Sequence, residues 1–239
     1  MTISLLTYNL LFNKALTSVP ELIEQYKPDL ICFQEMKTTE EEFTALESFG
    51  YELADFSNSF IKHGTVYGIG TFYNKNIFKF KSARTLTLPR SYYEWLLLFL
   101  RGGNNPRTVL KTELLVRDTS TQITLYNLHL SPYSTNGIRV KQFIQTLDDI
   151  SHDTTDHLLL AGDFNYPYGR KKFEELIHAH DLQEATSSIF YTLEQRFLKF
   201  FSIRWKLDYV LYKGLKLIKT ERIPVRASDH YPILSSFEI

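Results

Sequence analysis

Short apolar segments recur along the chain and predict a protein rich in β-strands. Each combines leucine with β-branched or aromatic residues and is bounded by polar or turn-forming residues, which is typical of buried strands. The segments are Ile3–Leu10, Leu30–Gln34, Gly68–Tyr73, Thr108–Val116, Ile123–Leu130, Leu158–Gly162, Leu207–Tyr212 and Ile233–Phe237. Turn-forming residues at Asp118–Thr121 and Lys213–Gly214 predict two hairpins.

Helical spacing between some of these strands predicts helices. Thr39 and Glu42 form the Thr-x-x-Glu pattern of a capping box, which would open a helix toward Phe49. Apolar residues three and four positions apart predict an amphipathic helix over Gly137–Ser151, and Gly169–His180 predicts another. Strands that alternate with helices and also follow one another in pairs predict an α/β fold. Its mixed sheets would pack face to face, with helices on the outer faces.

Composition favours one domain without a large basic surface. The chain has 239 residues, of which 44% are hydrophobic, so it can form a sizeable core. Apolar strands continue to the last residues, and we therefore expect a single domain over residues 1–239. The 27 basic and 27 acidic residues give a formal net charge of zero. This balance argues against an extended, nonspecific grip on duplex DNA but leaves a local basic groove open.

The cysteine content and the N-terminus bear on the compartment. The single cysteine, Cys32, lies in an apolar run and is expected to be a small buried side chain. One cysteine allows no disulfide within the chain, which fits a reducing compartment. The N-terminus lacks a basic region and a small-residue cleavage site, so we interpret it as the first strand. No apolar stretch approaches the roughly 20 residues of a membrane span. The expected location is the cytoplasm.

The sequence Gly162-Asp163-Phe164-Asn165 follows one of the predicted strands directly. Asp163 and Asn165 are two positions apart, so in an extended segment their side chains point to the same side. A carboxylate and an amide presented together suit the holding and activation of a water molecule. The alternative is a turn that the two side chains merely cap.

Other predicted strands also end in polar residues, and each has a structural alternative. Asn9 could cap a turn, Glu35 could begin a solvated loop, and His129 could be a hydrogen-bonded core histidine. Asp208 could pair with Lys206 or an arginine, and Asp229 and His230 could belong to an ordinary loop. The recurrence of this pattern is harder to explain structurally, because buried acids need a cation, water or one another. Oxygen donors without cysteine favour a hard divalent ion, Mg²⁺ or Mn²⁺.

Six ordered motifs resemble the endonuclease/exonuclease/phosphatase superfamily of phosphoesterases. They are Tyr8-Asn9-Leu10, Phe33-Gln34-Glu35, Asn127-Leu128-His129-Leu130, Gly162-Asp163-Phe164-Asn165, Leu207-Asp208-Tyr209 and Ser228-Asp229-His230. The resemblance implies a four-layered α/β sandwich with its site at one edge of the two sheets. It also implies a divalent-metal-dependent phosphodiester hydrolase.

The resemblance implies a metal site as well. Glu35 would be the main ligand of the ion, and Asn9 and Asp229 would lie close to it. Mg²⁺ or Mn²⁺ is the expected cofactor, in agreement with the residue types.

The resemblance implies catalytic roles for five further residues. Asp163 would activate or orient the attacking water, and Asn165 would help to position it. Asp208 would orient a histidine, and His230 would contact the scissile phosphate. His129 would stabilise the phosphorane-like transition state.

The substrate stays open at this point. Some family members place a phosphate-binding arginine where Arg107 lies, although a surface arginine is the alternative. Asn127 and Trp205 are further predicted substrate contacts. AP endonucleases commonly carry an acidic or polar residue where this chain has Leu11, which weakens that assignment. The sequence from Trp205 to Tyr209 does resemble their fifth motif, so the evidence for that branch is mixed. The Asn-Leu-His-Leu motif, followed by Arg139 and Gln142, is shared more with the sphingomyelinase, deadenylase and tyrosyl-DNA phosphodiesterase branches.

Two segments rich in apolar residues, Tyr92–Leu100 and Phe197–Trp205, belong either to the core or to the rim of the site. The second interleaves aromatic residues with Lys199 and Arg204, which suits unpaired nucleic acid. The same composition suits a membrane interface. We therefore expect a phosphodiester substrate, with nucleic acid ahead of a phospholipid or phosphoinositide. A non-catalytic binding module is the alternative from another class, and no obligate protein partner is predicted.

Overall fold

The structure is a computed structural model that describes residues 1–62, 64–90, 92–100, 107–197 and 201–239. Its strands are β1 Thr2–Asn9, β2 Leu30–Lys37, β3 Tyr51–Lys62, β4 Thr65–Asn74, β5 Phe78–Thr87, β6 Thr108–Val116, β7 Gln122–His129, β8 His157–Asp163, β9 Gln183–Glu184, β10 Leu193–Phe197, β11 Phe201–Trp205, β12 Asp208–Lys213, β13 Lys216–Arg222 and β14 Ile233–Glu238. Its α-helices are α1 Val19–Tyr26, α2 Glu40–Glu47, α3 Tyr92–Leu100, α4 Asn136–Ser151 and α5 Arg170–His178.

Two six-stranded sheets with matching layouts form the centre of the molecule. The first has the order β13-β14-β1-β2-β4-β3, and the second has the order β5-β6-β7-β8-β12-β9. Each contains one parallel pair near its middle, β1 with β2 and β7 with β8, and the other pairs are antiparallel. Strands β10 and β11 form a separate hairpin. The carboxyl ends of both parallel pairs therefore become available for a shared site.

Alternation along the strands divides the apolar side chains into three clusters. In β1, Ile3 and Leu5 enter the cluster between the sheets, whereas Leu6 and Tyr8 pack on the helix side. Side chains of α1 and α2 cover the outer face of the first sheet, and α4 and α5 cover that of the second. Apolar residues on both strand faces are what burial between two layers requires. The predicted α/β sandwich of two packed mixed sheets is confirmed.

The eight predicted strands all form, with bounds that differ by a few residues. Local patterning missed α1 and the strands β3, β5 and β13, whose positions are more exposed or less regular. The hairpin at Asp118–Thr121 joins β6 to β7 as predicted. Helix α2 forms, but the predicted capping box does not. Thr39 makes no side-chain capping hydrogen bond, and the Glu42 carboxylate accepts a hydrogen bond from Asn13 at 2.8 Å.

The predicted hairpin at Lys213–Gly214 is wrong. Strand β12 lies in the second sheet and β13 lies in the first, so the chain crosses between the sheets at this point. Gly214 has φ +70°, and a Cβ there would lie 1.7 Å from the carbonyl oxygen of Asp156. The glycine is therefore required by a close backbone approach at the crossover and not by a two-stranded turn.

The segment Tyr92–Leu100 forms α3, and its described side chains do not belong to the core. Tyr92, Trp95, Phe99 and Leu100 are all exposed. Of the other ambiguous segment, Phe201–Trp205 forms β11, whereas Lys199 lies outside the described residues. Within the described part of the chain, no helix is long and apolar enough to cross a membrane.

A buried amide joins the two sheets below the site. Asn127 of β7 is fully buried and donates a hydrogen bond from Nδ2 to the carbonyl oxygen of Gly70, at 2.9 Å. Its Oδ1 accepts a hydrogen bond from Nε2 of Gln34 in β2, also at 2.9 Å. The two amides therefore fix the relative position of the sheets where the apolar interface ends.

We expect Asn127→Ala to destabilise the fold by about 2–3 kcal/mol, because it leaves buried polar groups of Gln34 and Gly70 without their partner. Urea unfolding measures the change. The matched control is Asn76→Ala, at an exposed position whose backbone N–H, and not its side chain, donates a hydrogen bond to Oδ1 of Asn74. Equal free energies of unfolding for the two variants would contradict the proposed link between the sheets.

Candidate functional site

The interface between the sheets changes from apolar to polar toward one edge. On the face of β1 that carries Ile3 and Leu5, the next inward positions are Thr7 and Asn9. Other strands follow the same rule, and the inward polar residues are Gln34 in β2, Asn127 and His129 in β7, Asp163 in β8 and Asp208 in β12. Because successive side chains point to opposite faces of a strand, the inward polar side chains of both sheets meet at this edge.

Asp163 is linked to both sheets. Its Oδ2 accepts a hydrogen bond from Nδ2 of Asn9 at 2.9 Å, and its Oδ1 accepts one from the backbone N–H of Asn165, also at 2.9 Å. The preceding Gly162 has φ +141°, and a Cβ there would lie 2.0 Å from the carbonyl oxygen of Leu128. Burial raises the pKa of Asp163 to about 7, although the positive charge of His230 opposes this rise.

Asp208 and His230 form a buried ion pair beside Asp163. Nδ1 of His230 lies 2.8 Å from Oδ2 of Asp208, and Nε2 lies 3.8 Å from Oδ2 of Asp163. Burial by itself lowers the pKa of His230, but Asp208 and Asp163 outweigh it and raise the value to about 10. His230 is therefore a cation at neutral pH, with its Nε2 directed toward Asp163.

Thr192, the residue that precedes β10, fixes this pair from outside the sheets. The hydroxyl oxygen of Thr192 accepts hydrogen bonds from the backbone N–H groups of Leu207 and Asp208, both at 3.0 Å. Tyr231 donates its backbone N–H to the carbonyl oxygen of Thr192 at 2.7 Å. Thr192 therefore holds the backbone of Asp208 and also that of Tyr231, the residue next to His230.

His129 is buried, and neither ring nitrogen makes a hydrogen bond within the described residues. Its Nε2 lies 3.6 Å from Oδ2 of Asp163 and 3.8 Å from Oε1 of Glu35. Burial, together with the positive charges of Arg107 and His230, lowers its pKa well below the usual value. His129 is therefore neutral and has hydrogen-bonding capacity to offer a ligand.

Glu35 is held against the loop that follows β1. Its own φ is +54°, and Leu11, Phe12 and Asn13 also have positive φ. The backbone N–H of Phe12 donates to Oε2 of Glu35 at 3.2 Å, and that of Asn13 donates to the carbonyl oxygen of Glu35 at 3.0 Å. Burial raises the pKa of Glu35, while His230 and Arg107 act in the opposite direction. Such locally strained backbone is found frequently at functional sites.

The donors at this edge fit a hard divalent ion. Carboxylates and amide oxygens predominate, no cysteine is present among them, and the ring nitrogens of His129 lack partners in the described structure. Asp163, Asp208 and His230 also bring one ligand atom each within 4.8 Å of one another. Asp208, however, already holds the Nδ1 side of His230, so this group suits the fixing of a cationic imidazole better than direct metal ligation.

A cleft of about 380 Å³ lies at this edge of the sheets, and most of the predicted site residues line it. Glu35, Asp163, Asn165, His129, Asp229, His230, Arg107 and Trp205 all line it. Asn165 donates its side-chain amide to the carbonyl oxygen of Leu130 at 3.1 Å, and Asp229 accepts a hydrogen bond from Gln195 at 3.1 Å. The structure therefore brings together residues that are far apart in the sequence.

The predicted substrate contact of Asn127 requires correction. Asn127 is fully buried between the sheets and lies outside the cleft lining, so its amide supports the site from below. Sequence patterning missed Thr192 and Gln195 of the β10 region, and it missed Phe12 and Lys62 in the cleft wall. Phe12 lies two positions after the first-strand motif Tyr8-Asn9-Leu10, and this proximity is a signal that could have indicated it.

One group of curated relatives resembles part of the chain. A UPF0294 protein of Vibrio vulnificus (strain CMCP6) is 28% identical over 137 residues, which cover 56% of this chain and 45% of that protein. A UPF0294 protein of Yersinia pseudotuberculosis is 31% identical over 118 residues, covering 47% of this chain and 41% of that protein. The matches thus span less than half of each relative.

Solved structures resemble the whole fold. The catalytic domain of human Nocturnin matches with a TM-score of 0.77 at 18% identity, covering 99% of this chain and 94% of that domain. TDP2 from D. rerio, complexed with single strand DNA product, matches with a TM-score of 0.75 at 15% identity, covering 100% and 99%. At these identities the likeness establishes the fold.

The family assignment rests on the sequence as well as on the fold. A model of the Endonuclease/Exonuclease/phosphatase family matches residues 6–230, from the first strand to His230. All six motifs lie within this range or at its boundary. The chain belongs to the endonuclease/exonuclease/phosphatase family, whose members are phosphoester hydrolases.

Proposed function

We propose that this protein hydrolyses phosphodiester bonds in nucleic acid with the help of a divalent cation, Mg²⁺ or Mn²⁺. The observation that carries the proposal is the convergence of Glu35, Asp163, His129 and His230 on one cleft. Hydrolysis of a phosphodiester requires a positioned water, charge neutralisation on the phosphoryl oxygens and assistance to the leaving group. The residues of the cleft would supply the positioned water and the charge neutralisation.

Glu35, with Asp229 and Asn9 nearby, would hold the cation. The bound ion would neutralise charge on the phosphoryl oxygens, which is what a Lewis acid contributes to such a reaction. Asn9 also bonds to Asp163, so it would connect the ion-binding carboxylate to the proton-accepting one.

Side chains of the cleft would carry out the other steps of the hydrolysis. Asp163 would accept a proton from the attacking water, which suits a carboxylate whose pKa is about 7. Asn165 would orient that water. The cationic His230, fixed by Asp208, would contact a phosphoryl oxygen, and the neutral His129 would donate a hydrogen bond to the oxygen that gains charge.

Two features of the cleft favour nucleic acid as the substrate. Phe12, Phe60, Tyr133 and Trp205 place aromatic rings in its wall, on which unpaired bases can stack. Arg107 supplies a cation at the same wall. The similar TDP2 structure is complexed with single strand DNA product, which agrees with this choice of substrate.

We expect Glu35→Gln and Asp163→Asn each to reduce hydrolysis at least about a hundredfold, because one removes an ion ligand and the other removes the base. The assay is Mg²⁺-dependent cleavage of bis-p-nitrophenyl phosphate and of a single-stranded oligonucleotide. Glu47→Gln, at an exposed position at the end of α2, is the matched control. Full metal-dependent activity in both variants would contradict the proposal. Calorimetry that detects no Mg²⁺ or Mn²⁺ binding would favour a non-catalytic binding module.

The charge on His230 predicts how the stability of the metal-free protein depends on pH. An unfolded histidine has a pKa of about 6.5, whereas that of His230 is about 10 in the folded state. The Asp208–His230 pair therefore stabilises the fold fully below about pH 6.5. This stabilisation is lost as the pH rises toward about 10.

Urea unfolding in EDTA between pH 6 and pH 10 measures this loss. Asp208→Asn should weaken the pH dependence, because it removes the carboxylate that holds His230 charged. Asp118→Asn, at an exposed hairpin position, should leave the dependence as it is in the unaltered protein. The same decrease in stability in Asp208→Asn as in the unaltered protein would contradict this assignment.

Exposed apolar residues on α3 favour a second candidate function, the hydrolysis of a phospholipid or phosphoinositide headgroup. Tyr92, Trp95 and Phe99 lie three and four positions apart, and their rings contact one another at centroid distances of 5.6 Å. Tryptophan and tyrosine on an otherwise apolar helix are typical of membrane interfaces. Leu88 donates its backbone N–H to the carbonyl oxygen of Arg107 at 2.8 Å. Because Arg107 lines the cleft, the two ends of the connection that carries α3 lie beside the cleft.

If the lipid function is correct, the protein should float with vesicles of phosphatidylcholine that contain phosphatidylserine, sphingomyelin or a phosphoinositide, and should hydrolyse a lipid phosphoester. The variant Trp95→Ser with Phe99→Ser should lose most of that flotation, because it removes apolar area from the interface. Ile218→Ser, at an exposed apolar position in β13, is the control. Failure to bind vesicles of any of these compositions would rule out this candidate.

A further inference from the structure

Lys62 contributes a cation to the cleft that the proposed reaction does not use. It lies at the end of β3 and lines the same cleft as Glu35 and His230. Its Nζ lies 3.3 Å from the centroid of the Phe12 ring. This cation–π contact holds the ammonium group in place.

The charge of Lys62 is not neutralised within the described residues. Among the carboxylates whose side chains the structure describes, none lies within 4.0 Å of its Nζ. An aromatic ring orients a cation through its quadrupole but leaves the full positive charge in place. Lys62 is therefore a positioned cation that none of the described carboxylates neutralises.

Phe12 fixes Lys62 relative to the reacting groups. Its backbone N–H donates to Glu35, and its ring makes edge contacts with Phe60 at 5.4 Å and Tyr67 at 5.6 Å. The same residue thus holds the side chain of Glu35 with its backbone and the ammonium group of Lys62 with its ring. Any anion bound by Lys62 would consequently be held at a fixed position relative to Glu35.

The scissile phosphate already has its own positive partners. His230 and Arg107 both line the cleft, and His230 is held charged by Asp208. The cleft volume of about 380 Å³ lies near the lower end of the range of about 300–1,000 Å³ for ligand pockets. It therefore suits a substrate unit about as large as one nucleotide, whose next phosphate would extend along the chain.

We propose that Lys62 binds a second phosphate of the substrate, next to the one that is cleaved, and that Phe12 is the positioning residue for it. The proposal rests on the proposed function and deepens it. The favoured substrate then carries two phosphates on one nucleoside unit, as a nucleotide within or at the end of a strand does. A substrate with the scissile phosphate alone leaves Lys62 without a partner.

The test compares matched chromogenic substrates. Thymidine 5′-(p-nitrophenyl phosphate) is assayed with and without a 3′-phosphate, and thymidine 3′-(p-nitrophenyl phosphate) is assayed with and without a 5′-phosphate. In at least one pair, the unaltered protein should prefer the compound with two phosphates by about tenfold in kcat/KM, the usual effect of one charge-assisted contact. Lys62→Met should abolish this preference through KM, and Lys62→Arg should restore most of it.

Lys79→Met, at an exposed position in β5, is the matched control and should retain the preference. Equal kcat/KM within both pairs for the unaltered protein, or a preference that survives Lys62→Met, would overturn the role of Lys62. Absence of Mg²⁺-dependent cleavage of all four compounds would overturn the proposed function itself, and the inference with it.

Phe12→Leu tests the positioning role separately, because it keeps the backbone N–H that binds Glu35 but removes the ring. It should raise KM for the preferred compound, and combining it with Lys62→Met should add little further increase. Such non-additivity is expected when one residue acts through the other. Fully additive effects on KM would show that Phe12 does not act through Lys62.

Discussion

The burial of several carboxylates at one edge of the paired sheets is the constraint on which the rest of the structure depends. Glu35, Asp163 and Asp208 are held within a few ångströms of two histidines, where water is largely excluded. Unpaired buried charge is costly, so protons, His230 or an external cation must balance it. Burial raises the pKa of Asp163, and the neighbouring carboxylates raise that of His230, so both groups help to limit the unpaired charge. In our account, a bound divalent ion would neutralise part of the negative charge of these carboxylates.

The floor and the walls of the cleft are built from different parts of the molecule. The floor of the cleft is built from strand ends, whose positions are fixed by pairing and by the buried contact between Asn127 and Gln34. The walls come from loops and from the β10–β11 hairpin, which carry Phe12, Tyr133 and Trp205. In the proposed function, reaction chemistry and substrate choice would thus reside in separate parts of the molecule. Family membership and fold therefore predict the residues of the cleft floor far better than the residues of its walls.

Much of the site could be predicted because it follows from alternation within single strands. Once Ile3 and Leu5 face the other sheet, Asn9 must face it too, and the same reasoning places Asp163. The crossover at Gly214 could not be predicted in this way, since a glycine after a strand fits a hairpin equally well. The cation–π contact of Lys62 with Phe12 joins residues that are 50 positions apart and has no local signal. Such contacts depend on tertiary packing, which periodicity does not encode.

The most direct test is anomalous diffraction from crystals of this protein grown with saturating Mn²⁺. Our account assigns ion binding to Glu35 and proton transfer to Asp163. It therefore predicts a manganese peak in the cleft that is coordinated by the Glu35 carboxylate, with the contact between Asp208 and His230 intact. A peak coordinated by Asp163, Asp208 and His230 in place of Glu35, or no peak in the cleft, would contradict it.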